Sequence, residues 1–252
     1  MVKSQSNDII SIENVSKSFG GHLVLDNCSL KVRRNNITAI VGPNGSGKTT
    51  LFNVICGSIK PDSGDIYLDE KNIKTLSVNR ISNMGVSRIF QQSSFFPNLS
   101  IAQNLLLAID DEDTKFVKNI ICAEPLKDKE KIITDTLRLL GIKVNLEHLP
   151  HELSFGQQRI IEIARSLIKP HKIIIMDEPV SGLSPAMKKN MKNLFLQLKK
   201  NKETLFLAEH DINFVNKIAD RIVLIDKGRI ILDTTPKKIK NKSLFAKIYL
   251  GE

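Results

Sequence analysis

Residues 42–50 read GPNGSGKTT and follow directly on the apolar run ITAIV at 37–41. The spacing G-x-x-x-x-G-K-T from Gly42 to Thr49 suits a loop whose backbone N–H groups wrap the β-phosphate of a nucleotide. Gly42, Gly45 and Gly47 are expected to take positive φ and let the backbone approach an anion, with Pro43, Asn44, Ser46 and Thr50 completing the loop. Lys48 reaches toward the β- and γ-phosphates, and the Thr49 hydroxyl is placed to ligate Mg²⁺. A helix predicted over 48–57 points the positive end of its dipole at the same phosphates. In another context these glycines would form a plain surface turn. Here an apolar strand precedes them and a helical pattern follows, as a phosphate cradle requires.

The rest of the chain bounds the class. With 252 residues it is long enough to bury a full core, as one large domain or as one domain with a sub-domain. Apolar residues make up 41% and charged residues 25%, as in globular proteins, and no apolar stretch reaches the length of a membrane span. The start, MVKSQSNDII, lacks the apolar core of a secretory signal, so cytoplasmic residence is expected. Cys28, Cys56 and Cys122 show no C-x-x-C pair and suit reduced packing residues. A net charge of +10 suggests an acidic partner, with anionic lipid preferred to nucleic acid, which is not expected. The basic residues are mostly scattered lysines, however, and read most simply as solvated helix faces.

Residues 9–41 alternate as strands with turns at FGGH and RRNN, and further strands are expected at GDIYLD and GVSRIF. From about 98 to 168 the pattern turns helical in IAQNLLLAI, KIITDTLRLLGI and QQRIIEIARSLI. Strands return at KIIIMD, TLFLAE, RIVLID and RIILD, with helices about 185–200 and 211–219 between the first three. Lys227-Gly228 reads as a hairpin turn. The expectation is an α/β fold with an N-terminal antiparallel β segment, a mostly parallel core sheet from 1–97 and 169–252, and an inserted α-helical sub-domain over 98–168.

Two acids, Asp177 and Glu178, end the run KIIIMDEP, at the strand end where parallel sheets bind ligands. Asp177 is placed to hold the Mg²⁺ shell, and Glu178 to polarise the water that attacks the γ-phosphate. A second anion site is expected at LSFGQQRIIEIARSL, where Ser154 caps a helix and Gly156 permits close backbone approach. At this point the chain resembles the ATP-binding cassette proteins, whose signature LSGGQ matches Leu153, Ser154, Gly156 and Gln157, with Phe155 departing at the third letter.

The other family motifs follow in order along essentially the whole chain. Phe19 matches the aromatic that stacks on adenine, although a core Phe is the alternative. Gln91 matches the glutamine that contacts Mg²⁺ and the attacking water, and His210 the switch histidine at the γ-phosphate. The stretch SGLS at 181–184 matches the loop that crosses to a partner subunit, with Ser184 standing where an Asp is usual. The resemblance implies ATP hydrolysis with Mg²⁺ in two composite sites between two cassettes, identical or not. The signature of one closes over the ATP of the other. It further implies integral membrane permease subunits as partners and a peripheral place on the cytoplasmic face of the inner membrane.

Details such as FFPNLSIAQNLLLA, AEHD and the ending YLGE most resemble subunits of branched-chain amino acid importers; urea import and lipopolysaccharide export cassettes look similar. Phe95, Phe96 and Pro97 are expected in the groove that receives a helix of the membrane subunit, with core packing as the alternative. A cassette acting on nucleic acid or ribosomes fits less well, because neither a second cassette nor a coiled-coil insertion is present. A GTPase would carry N-K-x-D, and NKIAD at 216–220 has one residue too many.

Overall fold

A computed structural model describes residues 7–89, 95–109 and 126–239. The chain opens with two twelve-residue strands, β1 (Asp8–Phe19) and β2 (His22–Arg33), paired antiparallel. Their turn is Gly20-Gly21, with φ of 53° and 85°, the geometry of a two-residue primed hairpin. After β3 (Ile37–Val41) and α1 (Lys48–Ile55), β4 (Ser63–Leu68) returns to the free edge of β1. The short β5 (Lys71–Asn72) completes a four-stranded antiparallel sheet, ordered β2-β1-β4-β5. α1 stops two residues before the predicted 57, because Gly57 turns the chain at φ 75° and is packed where a Cβ would lie 2.7 Å from Ile81.

β3 sits in a second sheet with β6 (Val86–Ile89), β7 (Ile173–Asp177), β8 (Leu205–Glu209), β9 (Arg221–Asp226) and β10 (Arg229–Thr234). Its order is β10-β9-β3-β8-β7-β6, parallel throughout except for the edge strand β10. Every residue of β3, β7 and β8 is buried. The reason is visible in the alternation: Ile174, Met176, Leu205 and Leu207 enter one apolar cluster, while Ile175 and Phe206 enter the other. Both faces are covered, so the strands read as unbroken apolar runs.

On one face lie α1, α2 (Val78–Asn83) and the antiparallel sheet. The opposite face carries α6 (Pro185–Lys200) and α7 (Ile212–Ile218), together with three helices that pack on one another: α3 (Ile101–Ile109), α4 (Leu126–Leu139) and α5 (Phe155–Ile168). Ile101, Leu105, Ile133 and Ile161 tie those three into the same cluster as β3 and β7. α8 (Pro236–Ile239) is the last element described. No described helix is long and apolar enough to cross a membrane.

Candidate active site

The phosphate-loop sequence bridges β3 and α1, whose N-cap, Gly47, makes no side-chain cap and whose first turn carries no acid. Such a helix end leaves backbone donors and a positive dipole facing the loop. Gly45 and Gly47 have φ of 78° and 106°, but Gly42 lies outside the left-handed region, contrary to expectation. Its glycine is demanded by space: an added Cβ would sit 2.1 Å from the Ile225 carbonyl of β9. Lys48 is buried and donates to the carbonyls of Gly42 (2.8 Å) and Pro43 (2.9 Å). Burial lowers the pKa of its ammonium, opposed by the charges of Glu178, Asp177 and Glu209. The Ser46 hydroxyl is buried with no hydrogen-bond partner among the described residues. Asn44 and Thr49 are exposed, and Thr50 is partly so.

A second hairpin braces this loop. Lys227 and Gly228, with φ of 44° and 77°, form the two-residue turn between β9 and β10. The Gly228 N–H donates to the Ser46 carbonyl at 3.0 Å, and the Gly228 carbonyl accepts from the Asp26 N–H and the Cys28 thiol of β2. With its carbonyl held back, the planar trans Ser46–Gly47 peptide turns its N–H the opposite way. Burial pushes the Cys28 thiol up to about 11, so it is an inert packing group. At Gly228 a Cβ would stand 2.4 Å from the Val24 carbonyl. Gly228→Ala is therefore expected to cost about 3 kcal/mol in urea unfolding and to weaken nucleotide binding measured by titration.

Asp177 ends β7, is 4% exposed and has the Thr49 side chain beside it. Burial raises its pKa, against the pull of Thr49, Arg88 and Lys48. Two oxygen donors at one edge suit Mg²⁺, which binds through one or two protein oxygens plus phosphate and water. Among the described residues no group of three or more His, Cys, Asp or Glu could hold a metal by itself. Glu178 has φ 48°, rare for a side-chain-bearing residue. Its Oε1 lies 3.7 Å from Nδ1 of His210, directly after β8. Gln91 falls outside the described residues. Thr49, Asp177, Glu178 and His210 thus meet beside Lys48.

Phe19 ends β1 and is 44% exposed, which removes the core alternative. The Lys17 ammonium stands 5.4 Å from its ring centroid. The signature residues form the entry to α5. Ser154 is its N-cap, with Oγ accepting from the Gln157 N–H, while Gln157 Oε1 accepts from the Ser154 N–H in return. Leu153 is buried in the core. Gly156 lies close against α6: a Cβ there would stand 2.3 Å from the Met187 methyl, so that side chain would have to move. Phe155 is 56% exposed and lies near Gly182 of the 181–184 loop. Ser184 caps α6 by accepting from the Met187 N–H, so the departure from Asp retains helix capping.

Two residues escaped the sequence reading. Arg159 is 5% exposed, pairs with buried Glu162 at 2.8 Å and donates to the carbonyls of Asp177 (3.0 Å), Glu178 and Pro179 (3.4 Å each). It links α5 directly to the acidic strand end. Glu209 is fully buried at the end of β8. The available signal was position: a charged residue on the apolar face of α5, and an acid where β8 should have continued apolar.

The sequence profile described as ABC transporter matches residues 25–181. A Salmonella typhimurium protein named high-affinity branched-chain amino acid transport ATP-binding protein LivG is 32% identical over 98% of this chain and 99% of its own. The Pseudomonas aeruginosa counterpart BraF is 33% identical with the same coverage. Among solved structures, the ATP-binding cassette MJ1267 in its ADP conformation superposes with a TM-score of 0.84 at 31% identity, covering 97% of this chain and 99% of that one. The dimeric cassette MJ0796 gives 0.77 at 26% identity, over 90% and 98%. A phosphate loop, an acidic strand end, a capped signature helix and full-length similarity converge: the chain belongs to the ABC transporter family as one of its ATP-binding cassettes.

Proposed function

We propose that the chain hydrolyses ATP with Mg²⁺ to energise import of branched-chain amino acids through separate membrane subunits. The observation that carries the catalytic reading is the meeting of Glu178 and His210 beside Lys48 and Asp177. In this reading Phe19 supports the adenine, and residues 42–50 cradle the phosphates. Thr49 and Asp177 hold the metal, joined by Gln91. Bound Mg²⁺ supplies charge neutralisation on the β- and γ-phosphates. Glu178 takes the proton of the attacking water, and His210 holds the γ-phosphate and keeps Glu178 oriented. Leu153 sets the entry to the signature helix from the core. Ser154, Phe155, Gly156 and Gln157 serve the nucleotide of a second cassette, which makes each site composite.

Residues 98–168 act as the helical sub-domain, carrying the signature on α5 and moving against the core of 1–97 and 169–252. The groove between them, lined by Ser82, Arg88, Phe96, Leu107, Arg165 and Lys169, is the proposed seat for a helix of the membrane subunit. Phe96 is 54% exposed there and is held by Asn104, which accepts from the Phe96 N–H and donates to its carbonyl. Phe95 packs against the core, so the docking role falls to Phe96. The chain thus works as a peripheral protein on the cytoplasmic face of the inner membrane. Its charge of +10 gives a secondary attraction to anionic lipid.

Phe96→Ala is expected to reduce co-purification with multi-span subunits from solubilised membranes about tenfold, with ATP binding by the isolated chain unchanged. Undiminished recovery would remove Phe96 from the interface. The cargo is tested by reconstituting the recovered complex in vesicles with its external binding protein. ATP-dependent uptake of leucine, isoleucine or valine is expected; uptake of none of them overturns the cargo assignment.

A further inference from the structure

We infer that Glu209 is a positioning residue that binds the Glu178 loop and His210 into one catalytic unit. The inference rests on the reading of Glu178 and His210 given above. Glu209 ends β8 with no exposed surface, and each carboxylate oxygen is engaged by a different segment. Oε1 accepts from the Val180 N–H at 3.0 Å, two residues past Glu178, and Oε2 accepts from the His210 N–H at 3.3 Å. A backbone bond runs beside it, from the Glu178 N–H to the Ala208 carbonyl at 2.9 Å. The loop after β7 is thereby fastened at two points to the end of β8.

Apolar packing gives no reason for an acid here, although its charge also supports the buried Lys48 ammonium. Alternation along β8 puts position 209 on the face of Leu205 and Leu207, which enter the core, so an apolar residue would extend the pattern. A carboxylate loses its hydration at that depth and feels the charge of a further acid, Glu178. Its two amide partners explain what it achieves. Val180 begins the path into 181–184, whose Ser181 N–H already turns back to the Glu178 carbonyl at 3.2 Å. One carboxylate therefore fixes the strained backbone at Glu178, the position of His210 and the start of the loop that faces the second cassette. A displacement of His210 is passed to that loop through two hydrogen bonds.

The test is a kinetic cycle on the purified full chain with Mg-ATP, comparing wild type, Glu209→Gln, His210→Ala, the double variant and Glu178→Gln. Glu209→Gln keeps the shape but turns an amide NH₂ toward one of the two backbone donors. It is expected to lower kcat about tenfold with KM within twofold. In the His210→Ala background the same change is expected to have less than a twofold effect, since residues acting as a unit are not additive. A full tenfold loss in that background, or no loss in the native one, overturns the inference. Should Glu209→Gln fail to fold, Glu209→Asp is the second variant, because it retains charge but falls one methylene short of spanning both amides. Its kcat is expected below half of wild type at unchanged KM, and native kcat would overturn the inference. Glu178→Gln separates the two levels: full hydrolysis in that variant refutes the underlying site assignment, whatever Glu209 does.

Discussion

Replacing Glu178 by Gln is expected to slow ATP turnover by about 10²–10⁴-fold, the range that general-base removal produces, while ATP affinity stays within about threefold. The substitution preserves size and backbone. The residue's φ of 48° and the hydrogen bond from its N–H to the Ala208 carbonyl are main-chain features that Gln retains. What is lost is basicity at the atom 3.7 Å from His210 Nδ1. Phosphate release gives the rate, and titration with a fluorescent nucleotide gives the affinity. Because ATP then binds without being consumed, a two-cassette species is expected to accumulate with ATP in size-exclusion chromatography. Native turnover in this variant places the base elsewhere.

Arg159→Met is expected to cost about 3–5 kcal/mol of unfolding free energy, the range for removing one partner of a buried ion pair. Both Arg159 and Glu162 are 5% exposed, and the guanidinium also serves the carbonyls of Asp177, Glu178 and Pro179. The paired variant Arg159→Met, Glu162→Met removes both charges and is expected to be less destabilised than the single one. Urea unfolding of both variants decides this. A single variant within 1 kcal/mol of wild type, on the order of a surface substitution, would show that the pair and its carbonyl contacts contribute little. Since the same guanidinium joins α5 to the acidic strand end, turnover is also expected to fall in the single variant.

The motifs were legible because their chemistry needs fixed residue types at fixed spacing. A phosphate loop between an apolar strand and a helix, and acids at the end of a buried strand, are local patterns, and the structure places both at one sheet edge. Strands β3, β7, β8 and β9 were readable from their apolar runs, and α6 from its place between two of them. Less visible were α2, which buries only Ile81 of six residues, and the 3₁₀ turn Pro150–Glu152. Both are too short to repeat a pattern. Gly42 was assigned the wrong reason, because a carbonyl from β9, far along the chain, is what excludes its Cβ. Arg159 and Glu209 were missed for a similar cause: beyond Glu162 and the adjacent His210 amide, their partners are backbone groups brought near only by the fold. Phe95 and Phe96 look equivalent in sequence, and only Asn104 and the core distinguish them.

Strand order also has a consequence for the birth of the molecule. β3 lies between β8 and β9, and the residues that open it are secured by side chains 169 and 183 positions downstream, Thr204 and Asp220. The nucleotide cradle is translated early but cannot acquire its flanking strands, or the Gly228 brace, until almost the entire described chain exists. At about 5–20 residues per second, a ribosome leaves this apolar strand unpaired for roughly 10–40 s. Such long-range closure slows folding and exposes the segment to aggregation. Nascent chains halted near residue 200 are expected to need chaperone protection and to bind no ATP, whereas release of the hairpin at 226–229 completes the cradle.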